Sequence, residues 1–318
     1  LTTNTNFVQI NQNTGMITMS KPYQRVYGNK FNLTVTASDS SPSPNSASMV
    51  VQVHIVDVND HNPVFPKTDY AITLEESTLV NTQFHTLTAT DADVGRNAAL
   101  VYNITKGNDD GKFGIFPDGK LYIAKQLDRE TRDLYKLTVM AQDHGAPARS
   151  SEVNVTIHIL DSNDNRPRFL NQTYSFYVSE NVPPGQKIGA VKAVDADIGR
   201  NAELAFLLPE DQDDFAIDFQ TGEITTLRSY DREALVSETG NDYYSVVVTV
   251  VDNGVQRQQD SVTARIYVLD QNDNPPHFDR DIYRTSIKEN LAKYSFVYKV
   301  TATNLDVDEN AALTYDII

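Results

Sequence analysis

The chain repeats itself at long range, and that repeat limits what it can fold into. Shifted by 104 positions, Asp57-Val58-Asn59-Asp60-His61 falls on Asp161-Ser162-Asn163-Asp164-Asn165. The same shift places Leu33-Thr34-Val35 on Leu137-Thr138-Val139, and Asp91-Ala92-Asp93 on Asp195-Ala196-Asp197. A third linker motif, Asp270-Gln271-Asn272-Asp273-Asn274, lies 109 residues beyond the second, with the extra residues within 237–242. A period this long exceeds the roughly 20–50 residues of a solenoid unit, so each copy is expected to be a domain with its own core. Pro63, Pro167 and Pro276 follow the three motifs, and Phe65, Phe169 and Phe278 come two residues later. The expected domains are 1–62, lacking its start; 63–166 and 167–275, both whole; and 276–318, the start of a fourth. The chain reads as a piece of a longer one.

Within a repeat the local signal is strand. Phe31, Leu33, Val35 and Ala37 alternate with polar residues, as do Val153, Val155, Ile157 and Ile159, a period of two that buries one face. Turn signals such as Asp118-Gly119, Thr221-Gly222 and Pro183-Pro184-Gly185 separate these runs, and no long stretch has helical periodicity. About seven short strands per repeat describe an all-β sandwich. Tandem sandwiches on short linkers predict a rod.

Composition narrows the partners. With 43 acidic and 27 basic side chains the formal charge is −16, against the basic surface that nucleic acid requires. No apolar run approaches the ~20 residues of a membrane helix. The chain has no cysteine, which removes thiol catalysis, disulfides and thiolate zinc sites. Acidity this strong suggests cations, and the acids sit at fixed places. A Glu recurs early (Glu76, Glu180, Glu289), then Asp-x-Asp (Asp91/Asp93, Asp195/Asp197), then Asp-Arg-Glu (Asp128/Glu130, Asp231/Glu233). Each copy closes on the linker motif, preceded by Asp39, Asp143 or Asp252. Asp and Asn favour turns on their own account, but turn chemistry does not explain four signatures recurring in register. Carboxylates, amide oxygens and carbonyls are hard donors that suit Ca²⁺, whereas soft donors are missing. Two carboxylates ~4 Å apart repel by about 4 kcal/mol at an effective dielectric of 20, so such clusters need a neutralising cation.

Glu180, Asp128-Arg129-Glu130, Asp161-Ser162-Asn163-Asp164-Asn165, Asp195-Ala196-Asp197 and Asp252 resemble the calcium motifs of extracellular cadherin repeats. The resemblance covers the whole chain, including the Pro-x-Phe that opens each next domain. It implies seven-stranded Greek-key sandwiches, with up to three Ca²⁺ ions stiffening each junction of an adhesive rod. At the second junction it assigns Glu76, Asp128, Glu130, Asp161, Asp164 and the Ser162 carbonyl to two ions. Asp195, Asp197, Asn163, Asp252 and the Asn165 and Asn201 carbonyls would hold a third. The third junction keeps Glu180, Asp231, Glu233, Asp270, Gln271, Asn272, Asp273, Asn274, Asp306 and Asn310. Asn304 replaces its first Asp-x-Asp carboxylate, which implies a weaker ion there, and its late acid would lie beyond residue 318. At the first junction Gln24 and Val26 stand where the Asp and Glu of Asp-Arg-Glu belong. Asp57, Asn59, Asp60, Asp91, Asp93, Asp143 and the His61 and Asn97 carbonyls remain, which predicts a calcium-poor hinge.

The resemblance further implies a single-pass membrane protein at the cell surface, anchored outside this chain, whose partner is another cadherin ectodomain, homophilic or heterophilic. A passive spacer presenting a distal binding domain is the alternative, and accessory sandwiches on a carbohydrate-active enzyme a third reading. Sequons at Asn32, Asn103, Asn154 and Asn171 suit a glycosylated ectodomain. His54 and His158 read as solvated strand residues, and no nucleophile elbow, phosphate loop or His-Glu-x-x-His helix occurs, so no enzyme is expected.

Overall fold

The computed structural model describes residues 5–23 and 29–318, and two compact units, 1–160 and 161–318, make up the chain. In the first, β1 (Val8–Ile10) pairs antiparallel with β2 (Ile17–Met19), and β3 (Lys30–Ser38) with β4 (Ser46–His54). A complete sandwich follows: β5 (Asp69–Glu75), β6 (Gln83–Thr86), β7 (Val101–Lys106), β8 (Phe113–Ile115), β9 (Lys120–Ile123), β10 (Leu134–Gln142) and β11 (Ser150–Leu160). Its sheets run β5-β11-β10-β7 and β6-β9-β8. Val153, Val155, Ile157 and Ile159 all face the core, as their alternation demands, beside Leu87, Leu121, Ile123 and Leu137. Phe65 of the Pro-x-Phe packs against this core, edge to face with Tyr102.

The second unit repeats the plan. It contains β12 (Arg168–Phe169), β13 (Tyr174–Ser179), β14 (Lys187–Ala190), β15 (Ala193–Val194), β16 (Ala205–Leu207), β17 (Phe215–Ile217), β18 (Glu223–Thr226), β19 (Tyr243–Val251) and β20 (Gln259–Leu269). The sheets run β13-β20-β19-β16 and β14-β18-β17, while β12 pairs with β15. β21 (His277–Phe278) and β22 (Ala302–Thr303) form a last antiparallel pair. The chain is therefore all-β apart from one short α-helix among the described residues, α1 (Arg232–Thr239). Asp231 caps α1, accepting from the Ala234 N–H at 2.8 Å, and Gly240 ends it in the left-handed conformation. Two helical turns are too few to imprint a periodicity on the sequence, so this insert was not legible as helix.

Strand direction positions the acids. β13 runs parallel to β20, with Ser179 opposite Leu269, so Glu180 and Asp270 leave the sheet at the same end. β19 is antiparallel to β20, and Asp252, which follows it, emerges at the other end. Each repeat thus carries one half of the acidic signature at either end. Among the described residues no helix is long and apolar enough to cross a membrane. Asn103, Asn154 and Asn171 are exposed and Asn32 is half-buried; His54 and His158 are exposed.

His85 on β6 packs edge to face against Tyr70 at 5.4 Å, and its Nε2 is buried without a hydrogen-bond partner. Burial, then the charge of Lys67, pushes its pKa below the ordinary histidine value of 6.5. The unfolded chain binds that proton more readily, so the stability His85 contributes is present above about pH 6.5 and falls on acidification. Urea unfolding should show the chain losing stability between pH 7.5 and 5.0, with a smaller loss in His85→Phe. Equal losses in both would contradict this account.

Candidate metal centre

One contact recurs three times. The first Asp of each linker motif reaches a short 3₁₀ or turn segment in the repeat that follows. Asp57 Oδ2 accepts from the Val94 N–H and the Asn97 amide, both at 3.0 Å. Asp161 Oδ2 accepts from Ile198 N–H (3.1 Å) and Asn201 (2.9 Å), and Asp270 Oδ2 from Val307 N–H (3.2 Å) and Asn310 (2.9 Å). These bonds spend one face of each carboxylate on docking the next repeat's loop. In the Asp-x-Asp pairs the first carboxylate accepts from the second residue's N–H, at 2.9 Å for Asp91 and 3.0 Å for Asp195.

The linker asparagine joins the late acid. Asn59 donates to both oxygens of Asp143 at 3.2 and 3.1 Å and to the Pro147 carbonyl at 2.7 Å. Asn163 repeats this with Asp252 and the Gln256 carbonyl at 3.2 and 2.7 Å. Gly145 and Gly254 make the approach possible, since a Cβ there would stand 2.2 and 2.3 Å from the Asn59 and Asn163 amides. The sequence reading passed over both glycines. The recurrence of Asp143-His144-Gly145 in Asp252-Asn253-Gly254 was the available signal.

Of the upper-repeat acids Glu76 and Glu180 are buried, Glu233 and Asp270 are half-buried, and Asp128, Glu130, Asp231 and Asp273 are exposed. Glu180 is 0% exposed, accepting from the Arg232 N–H (2.8 Å) and the Gln271 N–H (2.6 Å). Glu180, Glu233 and Asp270 present oxygens that lie within 4.8 Å of one another. Burial, then the charges of Glu180 and Asp270, pushes the Glu233 carboxyl upward, and Arg232 stands 3.4 Å from Glu233 and 3.7 Å from Asp270. Asp231 and Asp273 are not drawn into this cluster. Asp231 caps α1, and Asp273 accepts from the Asn181 and Asn274 amides. The Gln271 carbonyl accepts from the Asp273 N–H, and Asn272 is exposed. In the first unit Glu76 accepts from the Arg129 N–H at 2.7 Å, Asp128 from the Thr131 N–H and hydroxyl, and Glu130 from the Arg129 guanidinium.

These groups leave oxygens unsatisfied. Asn59 Oδ1, Asp91 Oδ2, Asn163 Oδ1, Asp195 Oδ2, Asp197 Oδ2, Asp270 Oδ1 and Asp306 Oδ2 are buried with no hydrogen-bond partner. An orphaned buried acceptor costs about 1–3 kcal/mol, and more when charged. Burial, then the charges of Asp195 and Asp161, outweighs a bond from Asn165 and pushes the Asp197 carboxyl up to about 6. Burial and the charges of Asp252 and Asp161 push Asp195 upward as well. Carboxylate and amide lone pairs without hydrogen-bond donors, of which only Asp270 Oδ1 has a cation nearby, Arg232 at 3.7 Å, have the chemistry that fits a hard divalent cation.

Two positions depart from this pattern. At the first motif the His61 side chain, and not only its backbone, enters the group. Its Nδ1 lies 2.8 Å from Asp93 and 2.7 Å from Asp60, and its N–H donates to Asp93 Oδ2 at 3.1 Å. Both Asp93 oxygens are therefore met, and the bond to Asp93 raises the imidazole pKa. Asn165 and Asn274 stand at that place in the other motifs, and an amide leaves Asp197 Oδ2 and Asp306 Oδ2 orphaned. At the third motif Asn304 donates to the Asn310 carbonyl at 3.1 Å, occupying an expected ligand oxygen. Gln24 and Val26 lie outside the described residues.

The repeat plan, the paired half-sites and the Pro-x-Phe now stand together with a direct match. The cadherin domain model fits residues 70–160 and 174–269. The chain belongs to the cadherin family. It is 39% identical over 314 residues to human Protocadherin Fat 4 and 35% identical over 323 residues to Protein dachsous of Drosophila melanogaster. Those matches take in 98% and 97% of this chain but only 6% and 9% of those proteins. Among solved structures, mouse Cadherin-23 EC22-24 superposes with a TM-score of 0.71 at 31% identity, covering 83% of each chain. The Protocadherin gammaB7 EC3-6 cis-dimer structure superposes with a TM-score of 0.79 at 25% identity, over 98% of this chain and 77% of that one. This cadherin's ectodomain repeats are thus of the kind its relatives carry.

In chelator at neutral pH, Asp197→Asn should melt higher than the parent, because it removes a buried charge that lacks a counterion. The expected gain is roughly 4–8 °C, the shift for about 1 kcal/mol in a domain of this size. Melting curves check it, and a variant less stable than the parent in chelator would refute it.

Proposed function

We propose that this cadherin segment is a calcium-dependent adhesion or recognition module, and that Ca²⁺ at the seams between repeats controls their rigidity. The repeats are assigned to 1–62, 63–166, 167–275 and 276–318. The observation that carries the reading is the recurring set of buried oxygens with no protein donor, at equivalent positions in both units. Bound calcium would supply positive charge to these lone pairs and an inner coordination shell built from both neighbouring repeats.

At the third seam the ligands are Glu180, Glu233 and Asp270 from the upper repeat, with Asp306 and Asn304 from the lower. Asp231, Asp273, Gln271, Asn272, Asn274 and Asn310 stand around them. Asn304 brings one charge fewer, so the ion nearest the fourth repeat binds more weakly. At the first seam Asp57, Asn59, Asp60, Asp91, Asp93, Asn97 and Asp143 hold at most the ion nearest the second repeat. His61 supports that reading, since any ion that uses Asp93 must displace the imidazole. The two halves assigned to the second seam are Glu76, Asp128 and Glu130 in the first unit, and Asp161, Ser162, Asn163, Asp164, Asn165, Asp195, Asp197, Asn201 and Asp252 in the second.

Extracellular calcium modules bind with Kd of roughly 10⁻⁴–10⁻³ M, and a site at tenfold its Kd adds about 1.4 kcal/mol. Several such sites suit a seam that responds to external calcium. The whole protein is placed at the cell surface with another cadherin ectodomain as partner, glycosylated at Asn32, Asn103, Asn154 and Asn171. It is read as a binding module and not an enzyme, because its acidic groups recur at every seam in place of converging on one cleft.

Calorimetric titration of the 318-residue chain tests the seams. Glu180→Gln should remove or weaken most of the third-seam calcium, at least tenfold in affinity, whereas Asp93→Asn should change the total by one ion or none. Equal, large losses from both variants would overturn the calcium-poor first seam. Chelation should leave both sandwiches folded by circular dichroism while opening the linkers to protease. Unchanged proteolysis would refute rigidification.

A further inference from the structure

Beside the lower half-site of the second unit lies a cavity of about 400 Å³, lined by Asp164, Asn165, Arg166, Arg168, Val194, Ala196 and Gln258. Arg166 and Arg168 are both exposed, and neither side chain makes a hydrogen bond or ion pair with any described residue, although the Arg168 backbone pairs opposite Val194. That is unexpected so close to a cluster of carboxylates in a chain of net charge −16. The fold supplies the reason. Asp161 accepts from the Ile198 N–H and the Asn201 amide, and Asp197 from the Asn165 amide, so these carboxylates are met by other donors and not by the arginines. Arg166 and Arg168 flank Pro167 in an extended segment, so their side chains leave the same face. Gln258 is fixed on the opposite wall, donating to the Asn163 carbonyl at 2.8 Å.

We propose that this cavity binds an anionic saccharide, with Arg166 and Arg168 gripping a sulfate or carboxylate group. Guanidinium forks match such oxyanions bidentately, and two of them with no internal partner form a ready site. The size of the space favours a sugar ring over a single acidic side chain, which would leave most of it empty. Val194, 53% exposed, and Ala196 supply an apolar wall against which a ring can rest. The site is particular to this linker: Asn62 and Val64 stand at the equivalent places of the first motif, and Pro275 and His277 at those of the third. It is also coupled to metal, and that clause rests on the calcium reading. Asp161, Asp164, Asp195 and Asp197 repel an incoming anion until cations neutralise them, after which the two arginines dominate the local field.

A size-defined heparin hexasaccharide, an unsulfated hyaluronan hexasaccharide and a polyglutamate peptide are the probes, measured on the 318-residue chain by surface plasmon resonance. In millimolar calcium the heparin hexasaccharide should bind, more weakly at high salt. Arg166→Ala and Arg168→Ala should each weaken it about tenfold, the loss of one charged hydrogen-bonding group. Both side chains are exposed, so an unchanged melting temperature and an unchanged calcium titration will separate this loss from misfolding. Undiminished binding by the double variant, no binding of either saccharide, or tighter binding of polyglutamate would each overturn the site. Binding that needs both arginines but is unaffected by chelator supports the site and refutes its coupling to calcium. A chain that takes up no calcium yet binds heparin through the arginines refutes the calcium reading alone.

Discussion

Buried like charge is the constraint on which the other features depend. Glu180, Asp197, Asp252 and Asp306 are all at least nine-tenths buried, in a chain that carries 43 acidic side chains. Burying one carboxylate is costly; gathering several is worse, because each raises the potential at the next. The chain meets part of that cost internally, with backbone N–H groups on Glu180, amides on Asp161 and Asp270, and Asn59 and Asn163 on the late acids. What remains is a set of buried oxygens without hydrogen-bond donors. Their common demand for positive charge is what the proposed role for calcium at the seams rests on.

The two departures from the repeat follow the same electrostatic rule. Where His61 replaces Asn165, its ring Nδ1 and its backbone N–H each meet one oxygen of Asp93, so no buried oxygen of that carboxylate is left without a partner. Where Asn304 replaces an aspartate, one charge is removed and the spare amide hydrogens turn to the Asn310 carbonyl. In each case an internal donor takes lone pairs that stay free at the other motifs. Equivalent positions within one chain can therefore differ in how many buried oxygens they leave unmet while sharing a backbone plan.

Much of the architecture was open to reading because a period-two pattern and a period of about a hundred residues are both linear properties. Val153 to Ile159 alternate into the core as the pattern requires, and Phe65 and Phe169 anchor the start of their domains. The helix Arg232–Thr239 was not readable, since two turns carry no distinct period. The ligand types were readable from chemistry alone. Their division of labour was not: Asp231 and Asp128 look like Glu233 and Glu130 in sequence, yet the first pair serves local turns.

By itself the sequence determined the repeat, the strand pattern and the presence of hard oxygen donors at fixed spacing, because these depend on residue type and order along one dimension. Only the tertiary structure decided which oxygens remain without donors, that the His61 ring lies between Asp60 and Asp93, that Gly145 and Gly254 make room for asparagine, and that the Arg166 and Arg168 side chains have no partner among the described residues. Those outcomes depend on distances between strands far apart in the chain, where a rotation of one side chain decides whether a charge is met by the protein or left for a ligand.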